Sequence, residues 1–126
     1  MSTLKKFEDL DVWKDSIALS KEIYLQTQQA NFNQDESLRQ QIRSSSVAIS
    51  TSIAEGFDYQ ESAKFLEALK LSKIQCGETR SLIALLLEIQ FIDNTIYQGL
   101  YEKAHLLCQK INGLITYLED GIANEQ

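Results

Sequence analysis

The chain has 126 residues, of which 44% are apolar and 24% charged, and its formal net charge is −6 with a pI of about 4.7. This length is enough for one domain whose hydrophobic core needs no disulfide or metal. The acidic balance argues against strong non-specific nucleic-acid binding, which requires a basic surface. The chain has no proline and five glycines, a composition that favours long helices joined by short turns.

The compartment is predicted from the N-terminus, the apolar runs and the cysteines. Charged residues follow Met1 where a signal peptide would be apolar, and the longest apolar run is only Leu82 to Leu87. A membrane-spanning helix needs about 20 apolar residues. Cys76 and Cys108 lie in helical apolar patterns and match no metal or redox motif, which predicts buried free thiols. We expect a cytoplasmic protein without a membrane segment.

The first helix is predicted over residues 10–29 from apolar residues at helical spacing. Its apolar positions form one face and a flanking row, which are respectively Leu10, Trp13, Ile17 and Tyr24, and Val12, Leu19 and Ile23. A polar stretch from Gln28 to Gln34 then interrupts the pattern.

The second helix is predicted over residues 35–56, with Asp35 as its N-cap and Gly56 as the glycine just beyond its last turn. Its apolar residues have heptad-like spacing: Leu38, Ile42, Ile49 and Ile53. Between them stand hydroxyl residues, which are mediocre helix formers, namely Ser44, Ser45, Ser46, Ser50, Thr51 and Ser52. Small side chains there predict close contact with another helix of the same or an adjacent subunit.

The third helix is predicted over residues 59–91, because Asp58 and Glu61 resemble a capping box. Its second half is apolar on nearly every side, which is typical of burial on more than one face. The fourth helix is predicted over residues 94–120, with Asp93 or Asn94 as its cap. Its core positions follow an a/d rhythm: Ile96, Leu100, Leu107, Ile111, Leu114 and Leu118.

Four amphipathic helices with short connections predict an all-α fold, an antiparallel up-down-up-down four-helix bundle that forms one domain over residues 1–126. Helix three has extra apolar width, and helix four has a second stripe formed by Tyr97, Tyr101, Cys108 and Ile115. This surplus either faces a neighbouring subunit or thickens the monomer core.

Motifs for catalysis and cofactors are weak. Glu102 and His105 have the Glu-x-x-His spacing of di-iron bundles, but such sites need the motif twice and His105 is the only histidine. We therefore expect His105 to face solvent and no metal to bind. The sequence also lacks a catalytic triad signature and a glycine-rich phosphate loop. It predicts no enzyme, no cofactor and no small-molecule substrate.

Five basic residues are candidate nucleic-acid contacts: Lys70, Lys73 and Arg80 on neighbouring turns of helix three, and Lys103 and Lys110 one heptad apart on helix four. The alternative is a solvated charged face. No aromatic residues interleave with them as a platform for stacked bases.

Arg43 and Glu55 are the most conspicuous polar residues of helix two, where they lie twelve positions apart on broadly one side. A structural interpretation makes them ion pairs or caps that fix helix register or a subunit contact. A functional interpretation makes them part of a ligand or partner site at the end of the bundle.

Two segments together resemble a known family. They are FEDLDVW at residues 7–13 and QIRSSSVAISTSIAEGF at residues 41–57. The resemblance is to the four-helix bundle family named for proteins encoded in intervening sequences of bacterial 23S ribosomal RNA genes. Phe65-Leu66 and Glu78-Thr79 match later positions of its pattern, and the match extends roughly over residues 4–118. The family's Pro-x-Asn is Ser50-Thr51-Ser52 here, and serine replaces its alanine pair.

The resemblance implies an antiparallel four-helix bundle that assembles as a ring-like homopentamer. Together with the apolar surplus and the lack of a catalytic constellation, it leads us to predict a non-enzymatic scaffold for a protein or RNA partner. The candidate partner or assembly site is Trp13, Arg43, Glu55, Gly56 and Glu78. The alternative is a nucleic-acid-binding module similar to the accessory bundle protein of diversity-generating retroelements. That protein is strongly basic, whereas this chain is acidic.

Overall fold

The structure, a computed structural model, describes residues 4–125 of the chain. Its long helices are α1 (Asp11–Gln26), α2 (Glu36–Asp58), α3 (Ser62–Glu88) and α4 (Asn94–Glu125), and two short 3₁₀ helices cover Phe7–Asp9 and Ala30–Gln34. Across residues 4–125 every regular element is helical. The all-α prediction is therefore confirmed.

Contacts between neighbouring helices show that they run antiparallel. The pairs are Ser20 with Ser46 and Thr27 with Arg39 for α1 and α2, Ser45 with Thr79 and Ser52 with Gln75 for α2 and α3, Lys70 with Glu119 and Arg80 with Tyr101 for α3 and α4, and Asp15 with Lys110 and Glu22 with Lys103 for α1 and α4. In each pair the residue number rises along one helix as it falls along the other. The four helices thus surround one core with antiparallel neighbours.

Two helix starts agree with the predicted caps. The amide of Leu38 donates to Asp35 Oδ1 at 3.0 Å, and the amide of Ile96 donates to Asp93 Oδ1 at 2.8 Å. Each carboxylate satisfies an amide that the first helical turn leaves unpaired.

The capping box predicted at Asp58 and Glu61 is wrong. Asp58 is the last residue of α2, and Glu61 is the N-cap of α3 without a side-chain hydrogen bond. Gln60 instead makes the turn, with a left-handed φ of 58° and its amide bound to the Phe57 carbonyl at 3.0 Å.

The predicted role of Gly56 is also wrong. The helix α2 continues through Gly56 to Asp58, and Gly56 does not have a positive φ. A Cβ atom on Gly56 would lie 2.2 Å from the Cβ of Ala68 on α3. Glycine is required here because the two helix backbones approach too closely for any side chain.

The buried face of α1 differs from the apolar face predicted for it. The structure buries Val12, Ser16, Leu19, Ser20 and Ile23. Ile17 and Tyr24, which the sequence pattern places on the apolar face, are each 41% exposed. Ser16 and Ser20 face the core of the bundle, although serine is not counted in an apolar pattern. The pattern of apolar residues therefore predicts a buried face of α1 that is rotated from the one observed.

Three hydroxyl side chains of α2 lie between helices of the same chain, those of Ser45, Ser46 and Ser52. Ser20 Oγ donates to Ser46 Oγ at 3.2 Å across the α1–α2 contact. Ser52 Oγ donates to Gln75 Oε1 at 2.8 Å across the α2–α3 contact, where the hydroxyls of Ser45 and Thr79 are also 2.8 Å apart. The predicted close contact is thus made inside the subunit, where the hydroxyls of Ser45, Ser46 and Ser52 are each satisfied by a hydrogen bond.

The extra apolar residues predicted on the third and fourth helices lie partly in the core and partly on the surface. On α4, Ile115 is buried, and Tyr97, Tyr101 and Cys108 pack partly buried against the core. On α3, by contrast, Leu71, Ile74 and Leu85 are 49%, 61% and 43% exposed. The stripe on α4 serves the monomer, whereas α3 keeps an apolar outer side.

The α1–α2 and α3–α4 connections are longer than predicted. The helix α1 ends at Gln26 because Ala30–Gln34 forms its own turn, in which Phe32 is buried against Phe91 with ring centroids 5.1 Å apart. At the end of α3 the amide of Phe91 bonds the Leu86 carbonyl at 2.9 Å, and Gln90 has a φ of 64°. This is a Schellman ending, which stops α3 at Glu88.

Helix α4 continues beyond residue 120 to Glu125. Within the part of the chain that the structure describes, no helix combines the length and apolar character that crossing a bilayer requires.

The contact at Gly56 can be tested with a matched pair of glycine substitutions. We expect Gly56→Ala to lower the free energy of unfolding by about 1–3 kcal/mol, because its methyl group forces α2 and α3 apart. Gly113→Ala in α4, where a Cβ meets nothing within 4 Å, is the control. It should be neutral or raise stability by up to about 1 kcal/mol through helix propensity. Urea unfolding measures both, and a Gly56→Ala protein as stable as the control would contradict the close contact.

Candidate functional site

Three of the predicted basic residues line one groove between α3 and α4. Lys70, Lys73 and Arg80 border a space of about 600 Å³, opposite α4 residues that include Cys108, Asn112, Ile115 and Glu119. The antiparallel register of the two helices makes this possible, since residues 70–80 of α3 lie beside residues 101–119 of α4. We call this space the α3–α4 groove.

The α3–α4 groove has a local excess of positive charge. Lys70 Nζ lies 3.4 Å from Glu119 Oε2, and Lys73 Nζ donates to Asn112 Oδ1 at 2.8 Å. Both lysine contacts are exposed, so they hold their side chains weakly. The acidic chain therefore carries a basic groove in which Glu119 is the only carboxylate among the lining residues.

Arg80 is held more firmly than the two lysines. Its Nη2 donates to the Tyr101 hydroxyl at 2.9 Å, and its guanidinium carbon lies 5.3 Å from the centroid of the same ring. The hydrogen bond with Tyr101 raises the pKa of Arg80 above its usual value. Among the described residues, its Nε is buried and has no hydrogen-bond partner.

The two cysteines meet at the floor of the α3–α4 groove. Cys76 is fully buried, and its thiol donates to the carbonyl of Ala104, one helical turn before Cys108, at 3.3 Å. The neighbouring Cys76 thiol, followed by interactions with Arg80, lowers the pKa of Cys108 to about 6. The neighbouring Cys108 and burial raise the pKa of Cys76.

Sequence reasoning missed this pair, because each cysteine reads separately as a core residue. One signal was present: Lys73, Cys76 and Arg80 are spaced i−3, i and i+4 on α3, which places two cations beside a thiol on one helix face. Their relation to Cys108 depends on how α3 packs against α4.

The structure does not bring Lys103 and Lys110 into the α3–α4 groove. Lys103 Nζ lies 3.6 Å from Glu22 Oε1, and Lys110 Nζ lies 2.7 Å from Asp15 Oδ2, both across the α1–α4 contact. The bond to Asp15 raises the pKa of Lys110. These two lysines face acidic residues of α1, and their nucleic-acid role stays a prediction.

Arg43 contacts the end of α1. Its Nε donates to Thr27 Oγ1 at 2.8 Å, its Nη2 donates to the Tyr24 carbonyl at 3.3 Å, and its guanidinium lies 4.4 Å from the Tyr24 ring centroid. Arg39 Nε adds a bond to the Thr27 carbonyl at 2.9 Å. Two cations thus occupy the carbonyl end of α1, where the helix dipole favours positive charge.

The other members of the predicted partner or assembly site are dispersed. Glu55 is exposed, and twelve residues along the helix separate it from Arg43 by about 18 Å. Trp13 packs partly buried on Phe7, with ring centroids 5.3 Å apart. Gly56 is buried against α3, while Glu78 lines a separate space of about 540 Å³ between α2 and α3. These residues lie at separate places in the described part of the chain, so their joint role stays a prediction.

In the described part of the chain, no three His, Cys, Asp or Glu side chains cluster closely enough to hold an ion. His105 is exposed and stacks on the Tyr101 ring with centroids 6.4 Å apart. The exposed position of His105 agrees with the solvent-facing side chain predicted from the sequence.

Comparison with known proteins agrees with the fold and with the motifs. Residues 8–113 match the sequence model of the 23S rRNA-intervening sequence protein family. The fold is similar to a crystal structure from Bacteroides thetaiotaomicron described as a protein with unknown function from the S23 ribosomal protein family. The TM-score is 0.75 and the identity 20%, over 82% of this chain and 97% of that chain. At that identity the likeness concerns the fold alone. No protein of curated function matches the chain in sequence.

The arginine contact at the end of α1 gives a testable difference between Arg43 and Glu55. We expect Arg43→Met to lower the free energy of unfolding by about 1–2 kcal/mol, since two hydrogen bonds and a cation–π contact are lost. Glu55→Ala should stay within about 0.5 kcal/mol, because the side chain is exposed. Urea unfolding at several protein concentrations separates chain stability from assembly. The opposite ranking of the two variants would refute this assignment.

Proposed function

Because the chain belongs to the 23S rRNA-intervening sequence protein family, we propose that it is a non-enzymatic helical-bundle scaffold that assembles from several copies and presents them to a protein or RNA partner. The observation that carries this proposal is the outer side of α3, where Leu71, Ile74 and Leu85 are exposed. We call these three residues the α3 outer stripe.

The three residues of the α3 outer stripe lie along one helix face, with the exposed Glu78 between Ile74 and Leu85. At 100° per residue its three members lie within about 60° of one another, and they extend over about 21 Å of the helix. The core residues Leu69, Cys76 and Ile83 occupy the other side of α3. Single exposed apolar residues need no explanation, but an aligned apolar row is typical of an interaction surface.

A second copy of the chain is the occupant that we propose for this stripe. This face carries both signs of charge, because Glu67 and Glu78 lie in line with the row and Lys70 and Lys73 lie to one side of it. Mixed charges let the surface meet its own copy without strong like-charge repulsion. The family resemblance suggests a ring of five copies, and closed symmetric homo-oligomers are the common form of assembly.

The non-enzymatic part of the proposal rests on the dispersion of the polar candidates. Arg43 stabilises the end of α1, Gly56 permits a helix contact, and Glu55 and Glu78 lie at separate places on the surface. Catalysis requires a nucleophile, a base and an oxyanion donor within reach of one substrate. The dispersed arrangement suits a protein whose surfaces bind partners.

Light scattering can test the assembly surface. We expect the unaltered protein at micromolar concentration to have the mass of several chains, each of 14.4 kDa. The double variant Leu71→Glu/Leu85→Glu should shift toward the single-chain mass, because buried carboxylates oppose the contact. Leu106→Glu on α4, where the leucine is 48% exposed, is the matched control and should keep the assembled mass.

Circular dichroism must show that all three proteins remain helical. An unaltered protein that is a single chain, or a double variant with the same mass as the control, would rule out this surface.

A second candidate function is nucleic-acid binding, and the α3–α4 groove is the observation that favours it. Lys70, Lys73 and Arg80 line this groove together, so repeated copies in a ring would multiply a local basic site on an acidic chain. Phosphate contacts from three cations per chain would make binding strongly dependent on salt.

This candidate predicts a specific salt dependence for single-stranded RNA. Three phosphate contacts give a slope of about −2 in a plot of log affinity against log salt. Lys70→Gln/Lys73→Gln should reduce the slope by about 1.4, whereas Lys103→Gln/Lys110→Gln, on the α1–α4 side, should leave it unchanged. Fluorescence anisotropy measures both. No binding at low salt, or an equal loss in both double variants, would exclude the groove as an RNA site.

A further inference from the structure

The floor of the α3–α4 groove combines a thiol that solvent can reach with a thiol that it cannot. Cys108 is partly exposed and lines the groove, whereas Cys76 is fully buried behind it. The Cys76 sulfur lies 3.3 Å from the carbonyl oxygen of Ala104. In an α-helix this carbonyl is the acceptor for the amide of Cys108, so the two cysteines are neighbours across the helix contact.

Positive charge surrounds the reachable thiol. Lys73, Cys76 and Arg80 share one face of α3, and Lys70 lies one turn before Lys73. On the α4 side the facing groups are the Tyr101 hydroxyl, which is bound to Arg80, and the Glu119 carboxylate, which is paired with Lys70. Cations next to a thiol stabilise its thiolate, which is the nucleophilic form.

The groove also has room for a ligand. Its volume of about 600 Å³ falls within the range of small-molecule sites, which is about 300–1,000 Å³. Ile74 and Ile115 provide apolar surface, and the lysines provide partners for carboxylates. A small anionic molecule with an apolar or sulfur-containing centre matches this lining.

We propose that Cys108 is a nucleophilic thiol that exchanges with small anionic disulfides, which Lys70, Lys73 and Arg80 hold in the α3–α4 groove. This inference goes beyond the scaffold function and does not depend on it. The Cys108 thiolate attacks one sulfur of the bound disulfide, and a new sulfur–sulfur bond forms as the original one breaks. The second half of the reagent leaves as a thiolate with the bonding electron pair.

Cys76 acts as a positioning residue in this scheme. Its buried thiol donates to the Ala104 carbonyl beside Cys108, and this neighbouring thiol is the largest influence that lowers the pKa of Cys108 to about 6. Cys76 keeps its own proton, because burial and the neighbouring sulfur raise its pKa. The thiolate of Cys108 therefore forms as the pH rises through about 6, whereas an ordinary cysteine needs a pH near 8.5.

The expected rate advantage is largest in mild acid. At pH 6 about half of the Cys108 thiols are ionised, against about 0.3% of an ordinary thiol with a pKa near 8.5. A less basic thiolate is intrinsically slower by about tenfold to twentyfold. The net result is a reaction about ten times faster than that of an ordinary thiol at this pH.

Two reagents test the proposal on the full chain. The anionic disulfide 5,5′-dithiobis(2-nitrobenzoate) and the neutral disulfide 2,2′-dithiodipyridine both release a coloured product, and glutathione is the reference thiol. We expect Cys108→Ser to lose the fast reaction, since the remaining Cys76 is buried. Cys76→Ala should retain the reaction but move the midpoint of its pH profile upward, which a merely structural cysteine would not do.

Charge variants test the role of the groove. Lys70→Gln/Lys73→Gln should lower the preference for the anionic over the neutral reagent about tenfold, as a loss of two nearby charges in a partly exposed site predicts. Lys103→Gln/Lys110→Gln removes the same charge on the α1–α4 side and should retain the preference.

Three results would overturn the inference. They are a fast reaction that persists in Cys108→Ser, a Cys108 rate at pH 6 no greater than that of glutathione, and an equal change of preference in both lysine variants. The light-scattering mass, measured before and after the reaction, keeps this test separate from the scaffold proposal.

Discussion

The bundle depends on how closely α2 approaches α1 and α3. Gly56 lies against Ala68 with no space for a Cβ atom, and Ser46 reaches Ser20 across the α1–α2 contact. Side chains of this size let helix backbones come together, and their hydroxyl groups remain satisfied by short bonds. A row of hydroxyl residues that appears unfavourable for a helix is therefore favourable for this packing.

The close contacts of α2 determine what remains for the surface. The helix α2 packs against α3 through Ser45, Ser52 and Gly56, and this contact helps to bury the inner side of α3. The outer side of α3 exposes leucine and isoleucine. The opposite edge of α3 packs on α4 and forms the groove with Arg80 at its centre. The same helix thus carries the proposed assembly surface and the proposed reactive site on adjoining sides, and Ile74 borders both.

Sequence patterns predicted the number and type of helices, the caps at Asp35 and Asp93, and the core positions of α2 and α4, because these depend on local spacing. The patterns failed where tertiary contact decides. Serines at positions 16 and 20 are buried in place of Ile17 and Tyr24, and Gly56 serves a helix contact instead of a helix end. The pairing of Cys76 with Cys108 and the separation of Lys103 from Arg80 depend on interhelix register, which periodicity does not specify.

Assembly through the α3 outer stripe is the central claim, since the scaffold role has no meaning for a single chain. Native mass spectrometry of the unaltered protein at micromolar concentration tests it most directly. The proposal predicts a closed assembly, with five copies of the 14.4 kDa chain as the number that the family resemblance favours. A single species of 14.4 kDa under these conditions would contradict it.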